Sequence, residues 1–362
     1  MQSILCNFAL VYRAGGYSLF IKKRYEIKMM KLLKKDEAVK LIKKRHGEKK
    51  LGEQAQFLNG SAAADLRDAP GKYVVFGIPE DIGVRANLGV PGASRSWIPF
   101  LKAFLNVQSN RFLSGDEIIV AGELDLSQIQ ESTNDQALVE KLRRITAQID
   151  EAVAEWVYAV KKAGKIPIAI GGGHNNAYGL LKGCSQAAEK PLNTVNCDPH
   201  SDFRTLEGRH SGNGFSYAYN RKYLKKYAVI ALHEGYNSED NLISMEITRP
   251  DLHFSFFEDI AIRQTLSLER AFEDAYLHVE GNYGIELDLD AVKNMPVSAL
   301  TPSGITPENA RQYIHFFASR SIPEYLHICE AAPENLPQPA SLTGKLLSYL
   351  TCDFIKAVNA QL

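Results

Sequence analysis

The sequence predicts an α/β protein built on a mostly parallel sheet. Three observations point there. From about residue 70 onward, short β-branched runs alternate with longer amphipathic stretches, the pattern of strands joined by helical crossovers. No Pro/Gly/Ser-rich linker divides residues 70–362, so that stretch reads as one domain. Three of the strand ends carry clusters of metal-type side chains, and in open α/β sheets ligands bind beyond the carboxyl ends of the strands.

The elements follow in chain order. Ile4–Tyr12 is a short apolar run whose basic residues come after it, with no small-residue cleavage site. That argues against a signal peptide. Met29 and Met30 precede a plausible helix with an apolar side made by Leu32, Leu33, Val39, Leu41 and Ile42. Residues 1–65 are therefore expected to be a basic extension plus helix, with 1–28 an upstream extension, and residues 66–362 a single domain. Lys72–Gly77 and Glu117–Ala121 read as strands. Asn134–Ala163 has helical apolar spacing, no Pro, and Gly164 as a C-cap. Further strands are expected at Ile166–Ile170, Thr194–Cys197, Ala228–Leu232, Tyr283–Leu289 and Tyr325–Ile328.

Composition excludes several classes. The chain has 362 residues, with 42 Lys+Arg against 42 Asp+Glu. No basic excess is available to hold nucleic acid by counterion release. Residues 1–50 carry 14 basic and 4 acidic residues, a local excess of ten; it reads as the solvated face of the N-terminal helix. No apolar run reaches the roughly 20 residues of a membrane helix, and 45% hydrophobic content is too high for disorder. Five scattered Cys, without a Cys-x-x-Cys pair, form neither a disulfide framework nor a zinc ribbon. A reducing compartment, the cytoplasm, is expected.

The chemistry lies in three clusters. Gly171-Gly172-Gly173-His174 follows an apolar strand and delivers one imidazole from a tight loop. Asp198-Pro199-His200-Ser201-Asp202 places Asp198, His200 and Asp202 on one face of an extended segment. Asp288-Leu289-Asp290 repeats the two-residue spacing at another strand end. Burying acids side by side is costly unless cations compensate. Four carboxylates and two neutral imidazoles total −4, which two divalent ions balance. Carboxylate-rich ligation without thiolate suits Mn²⁺ better than structural Zn²⁺, with Fe²⁺, Co²⁺, Ni²⁺ and Zn²⁺ left open.

The three clusters resemble the signature motifs of the ureohydrolase family of arginases, agmatinases and formimidoylglutamases, in the same order. The resemblance runs from about Val74 to Leu350. It includes Phe76-Gly77-Ile78-Pro79-Glu80-Asp81 and the stretch from Gly83-Val84-Arg85-Ala86-Asn87 to Pro91-Gly92-Ala93. It implies an arginase-like, three-layer α/β/α fold with a dimanganese cluster held by His174, Asp198, His200, Asp202, Asp288 and Asp290. It also implies hydrolysis of a C–N bond in an amidine or guanidine by a metal-bridging hydroxide. Asp202 would hydrogen-bond that nucleophile, His210 would match the proton-shuttle His, and Glu330 would pair with the cationic end of the substrate. Family members are often trimers or hexamers, so a homo-oligomer is an expectation.

Departures from the family pattern bear on the substrate. The first loop reads GGGHNN rather than GGDHS, followed by Ala177-Tyr178-Gly179, as in formimidoylglutamases. Pro199 replaces the usual Ala, Glu286 stands where Ser is common, Val292-Lys293-Asn294-Met295-Pro296 lacks the family's Asp-Pro, and Gly214 replaces Pro in the HSGNGFS run. Formimidoylglutamate carries two carboxylates and calls for donors; Arg204, Arg209 and Asn213 flank the second motif, and Asn237 follows a later strand. The expected reaction is formimidoylglutamate to glutamate and formamide. An arginase or other guanidino-acid hydrolase releasing urea, a non-catalytic scaffold, and a metal-dependent amide deacetylase are the alternatives.

Overall fold

The computed structural model describes residues 30–60, 62–130 and 139–362. The expected extension 1–28 and the first residues of the helix predicted from Asn134 lie outside them. The strands are β1 Met30–Leu32, β2 Gln56–Phe57, β3 Tyr73–Gly77, β4 Ile118–Leu124 and β5 Ile166–Ile170. They continue with β6 Leu192–Cys197, β7 Leu224–Leu232, β8 Leu252–Phe256, β9 Tyr283–Asp288 and β10 Leu326–Cys329. They form one sheet in the order β1-β4-β3-β5-β10-β9-β6-β7-β8, with β2 also on β4. Every named pairing is parallel except β1 with β4.

Strands buried on both faces need apolar residues at every position, and YVVFG in β3 and IPIAI in β5 supply them. Alternate side chains then feed two cores. Tyr73 and Val75 join one core, Val74 and Phe76 the other. Seven helices matter most: α1 Lys35–Leu41, α2 Trp97–Phe104, α3 Val139–Lys162, α4 Asn176–Ala188, α5 Leu268–Val279, α6 Pro307–Ala318 and α7 Ala340–Asn359. Residues of α2, α5, α6 and α7 fill the first core, and residues of α3 and α4 the second. The result is three layers, α/β/α. Gly164, at φ +73°, ends the turn after α3 in a conformation that favours glycine.

Two expectations change. The N-terminal helix does not begin near Met30: Met30–Leu32 is an edge strand paired antiparallel to Gly122–Leu124, and the helix is only Lys35–Leu41. Pairing with an open sheet edge overrode the local helical pattern. Because β1 and β2 both join β4, the sheet crosses the boundary expected at residue 65. The strand β8, Leu252–Phe256, was not anticipated. Among the described residues no helix is long and apolar enough to cross a membrane.

Candidate metal centre and active site

β5, β10, β9 and β6 are neighbours at the middle of the sheet. Their carboxyl ends therefore bring His174, Glu330, Asp288 and Asp198 together, although these residues come from distant parts of the chain. The Gly171–Gly173 loop makes this compact. Gly171 and Gly172 take φ +85° and +73°, and a Cβ on Gly171 would lie 1.9 Å from Ser96 Oγ. The loop is held by Glu80, a buried carboxylate missed in the sequence, which accepts Gly173 N–H at 3.0 Å and Asn176 Nδ2 at 2.5 Å.

His174 is 1% exposed. Its Nδ1 lies 2.9 Å from Asp198 Oδ2, 2.9 Å from Asp202 Oδ2 and 3.1 Å from Asp288 Oδ2. One ligand atom from each of these four residues lies within 4.8 Å of the others. A second group adjoins it. His200 Nδ1 is 3.5 Å from Asp198 Oδ1 and 3.9 Å from Asp290 Oδ2, so the two oxygens of Asp198 face the two imidazoles. Backbone amides aim the acids: Asp198 Oδ1 accepts His200 N–H at 2.7 Å and Asp288 Oδ1 accepts Asp290 N–H at 2.7 Å.

The electrostatics show what the crowding costs. Burial, then the Asp198 charge, raises the Asp202 pKa to about 6. Burial, then Asp288, holds the Asp290 carboxyl well above its usual range. Burial works against a charged His200, yet Asp198, Asp290 and Asp202 together raise it to about 10. Such a cluster holds protons unless cations replace them. Nε2 of His174 and Oε2 of Glu330 are buried without a hydrogen-bond partner, which is costly. The six ligand-type side chains fit a pair of divalent ions by charge, by donor type and by these orphaned atoms.

Above them opens a cavity of about 400 Å³, lined in part by His200, Asp202, Asp288, Asp290 and Glu330. Glu330 Oε1 accepts His174 N–H at 2.8 Å, leaving Oε2 free. Arg204 and Asn237 also line the cavity. Arg204 donates to Asn87 Oδ1 at 2.8 Å and Glu207 Oε1 at 2.9 Å. Asn237 is used internally, accepting Ser201 N–H and donating to His233 O.

Three of the expected residues are placed away from the cavity lining. His210 does not line the cavity. It is fully buried, its Nδ1 accepting Gly212 N–H at 3.1 Å and its Nε2 3.1 Å from Glu207 Oε1. Arg209 does not line it either: it is 5% exposed, paired with Asp150 at 2.8 Å and stacked on Tyr178 and Tyr217. Asn213, fully buried, accepts from Arg209 and from His210 N–H and donates to Gly208 O. These three tie the loop after Asp202 to α3 and α4. Sequence reasoning missed Tyr236, which lines the cavity and stacks on His200 at 5.3 Å, and Asn87. No spacing signal marked either.

A parallel three-layer fold with paired acids and imidazoles at four adjacent strand ends defines a metallohydrolase of the binuclear kind. Comparison with known proteins makes this specific. The Arginase family profile matches residues 71–352, and the chain belongs to that family. A formimidoylglutamase of Macrococcus caseolyticus is 24% identical over 287 residues, covering 77% of this chain and 85% of the relative. Among solved structures, the formimidoylglutamase of Bacillus subtilis superposes with a TM-score of 0.71 at 12% identity, covering 88% and 94% of the two chains. The Mn²⁺-containing formiminoglutamase of Trypanosoma cruzi superposes with a TM-score of 0.66 at 19% identity, covering 86% and 98%.

Proposed function

We propose that this chain hydrolyses a C–N bond of an amidine, with N-formimidoyl-glutamate as substrate and two Mn²⁺ as cofactors. The observation that carries the reading is the shared hollow: His200, Asp202, Asp288 and Asp290 line it, His174 and Asp198 are packed against them, and the unpartnered Glu330 Oε2 lies beside them. The names of the Macrococcus, Bacillus and Trypanosoma proteins support the substrate, and the Mn²⁺ of the Trypanosoma cruzi neighbour supports the metal.

Two ions held by His174, Asp198, His200, Asp202, Asp288 and Asp290 would supply a water of lowered pKa and Lewis-acid polarisation of the reacting carbon. The chain's own residues do the rest. Glu330 Oε2 accepts N–H from the amidine and orients it, a charge-assisted contact with a cationic substrate end. Asp202, which lines the cavity, would accept a hydrogen bond from the attacking water. Arg204, at the mouth, receives a carboxylate of the substrate. His210, Arg209 and Asn213 hold the loop that carries Asp202 and Arg204.

A second reading has one observation in its favour. Arg204 is the only Lys or Arg among the described residues lining the cavity, and it already has two partners. That suits a guanidino acid with one carboxylate. A substrate panel on Mn²⁺-loaded protein tests both: formimidoylglutamate, arginine, agmatine, guanidinobutyrate and guanidine. The proposal expects formamide and glutamate from the first and little urea from the others. Urea from arginine or guanidinobutyrate with no formamide would replace it with the second reading.

A further inference from the structure

Beneath the cavity floor lies a buried polar array that the proposed reaction does not use. Glu286 stands two residues before Asp288 on β9, so both project from the same face of the strand. Its register partner on β10 is His327. His327 Nδ1 lies 2.6 Å from Glu286 Oε2, and the Tyr325 hydroxyl donates to Glu286 Oε1 at 2.8 Å. His327 Nε2 faces Gly171 O at 3.3 Å, and Thr194 Oγ1 on β6 lies 3.5 Å from the Tyr325 hydroxyl. All four side chains are fully buried. The space for Tyr325 is built in: a Cβ on Gly284 would lie 2.0 Å from its ring.

A buried carboxylate–imidazole pair is weak evidence for stability, because apolar residues of similar volume often serve as well. What this array adjoins is more informative. The side of the His174 ring away from the aspartates carries Nε2, fully buried and without a hydrogen-bond partner. Among the described residues, the only acid oxygen within 4.0 Å of it is Glu286 Oε2, at 3.5 Å. When Nδ1 gives its lone pair to a cation, the ring proton must sit on Nε2 and needs an acceptor. The ring is also fenced edge-on by Phe215 at 5.2 Å.

We propose that Glu286, braced by Tyr325 and His327, is a positioning residue that accepts the Nε2–H of His174 and so fixes the tautomer and plane in which Nδ1 meets the metal. This rests on the two-metal reading of the site. The neighbouring thiol offers the rival arrangement, since His174, His327 and Cys329 each present a ligand-type atom within 4.8 Å of the others.

The test is Mn²⁺ binding to the full chain by equilibrium dialysis, with melting of the metal-free protein as the fold control. Wild type is expected to bind two ions. Glu286→Gln is expected to weaken one of them by about 10–100-fold, with the metal-free melting temperature within a few degrees of wild type. In a His174→Ala background the same substitution should have no further effect, because the group it positions is gone. If Glu286→Gln does not fold, Tyr325→Phe decides, with a loss of up to about tenfold expected from removing one brace. Wild-type affinity for both ions in the variant that folds overturns the proposal while leaving the two-metal reading intact. So does an equal loss with and without His174, or a loss on Cys329→Ser in place of Glu286→Gln. A wild-type chain that binds no Mn²⁺ overturns the two-metal reading itself and the proposal with it.

Discussion

Glu330 takes φ +61° and Asp202 takes φ +48°. A non-glycine residue in the left-handed region costs on the order of 1 kcal/mol or more, and such strain gathers at functional sites. Both residues line the cavity, and the strain aims a carboxylate into it. For Glu330, burial and then Asp288 and Asp290 hold the carboxyl well above its usual range, and a cation beside it favours the ionised form. Glu330→Gln is expected to lower kcat/KM for cationic amidines by roughly 10–100-fold, the worth of one charge-assisted contact, with both metals retained. Steady-state kinetics alongside metal analysis checks this; unchanged kcat/KM removes Glu330 from the role. His210 makes the opposite point. Burial lowers its pKa to about 4, against the pull of its Glu207 hydrogen bond and aided by the Arg204 and Arg143 charges. A histidine held neutral stabilises the fold fully above its unfolded pKa of about 6.5, and that contribution is lost as pH falls through about 4. Urea unfolding of the metal-free protein should therefore show stability falling from pH 6.5 towards 4, with a shallower fall in His210→Gln. Equal slopes would contradict the assignment.

The strand ends were legible because metal ligation dictates residue type at fixed spacing. Asp-x-His-x-Asp and Asp-x-Asp in an apolar context have few other physical uses. The residues around the second motif were less legible. Arg204 and Arg209 look alike in sequence, yet one opens onto the cavity and the other is sealed between Asp150 and two tyrosines. Which way each side chain turns is decided by α3 and α4, far away in the chain. Strand β8 escaped notice because LHFSF has no distinctive period, and β1 because its pairing edge lies some ninety residues on. Helix α4 offers a test of packing. A Cβ on Gly183 would lie 2.6 Å from Ala154 O and 2.8 Å from Val157 Cβ on α3. Helix propensity alone favours Gly→Ala by about 1 kcal/mol, but overpacking costs roughly 1–3 kcal/mol, and the nearest atom is backbone. Gly183→Ala is expected to destabilise the fold by about that net amount in denaturant titration; a stabilised variant would show that the two helices move apart freely.

At the scale of the whole molecule, the parallel α/β class follows from the alternation after residue 70, and the two faces of the sheet receive helices as that class requires. What the sequence did not disclose is the incorporation of residues 30–57 into the sheet through β1 and β2, since a three-residue edge strand has almost no pattern of its own. The sheet order brings β5, β10, β9 and β6 side by side, and this single fact converts three scattered motifs into one site. Metal content is therefore the decisive property of this site. Metal analysis of the purified, Mn²⁺-loaded chain should give two ions in the wild type, and Asp198→Ala and Asp288→Ala should each lose bound metal together with amidine hydrolysis. Full metal occupancy in both variants would contradict the two-metal reading.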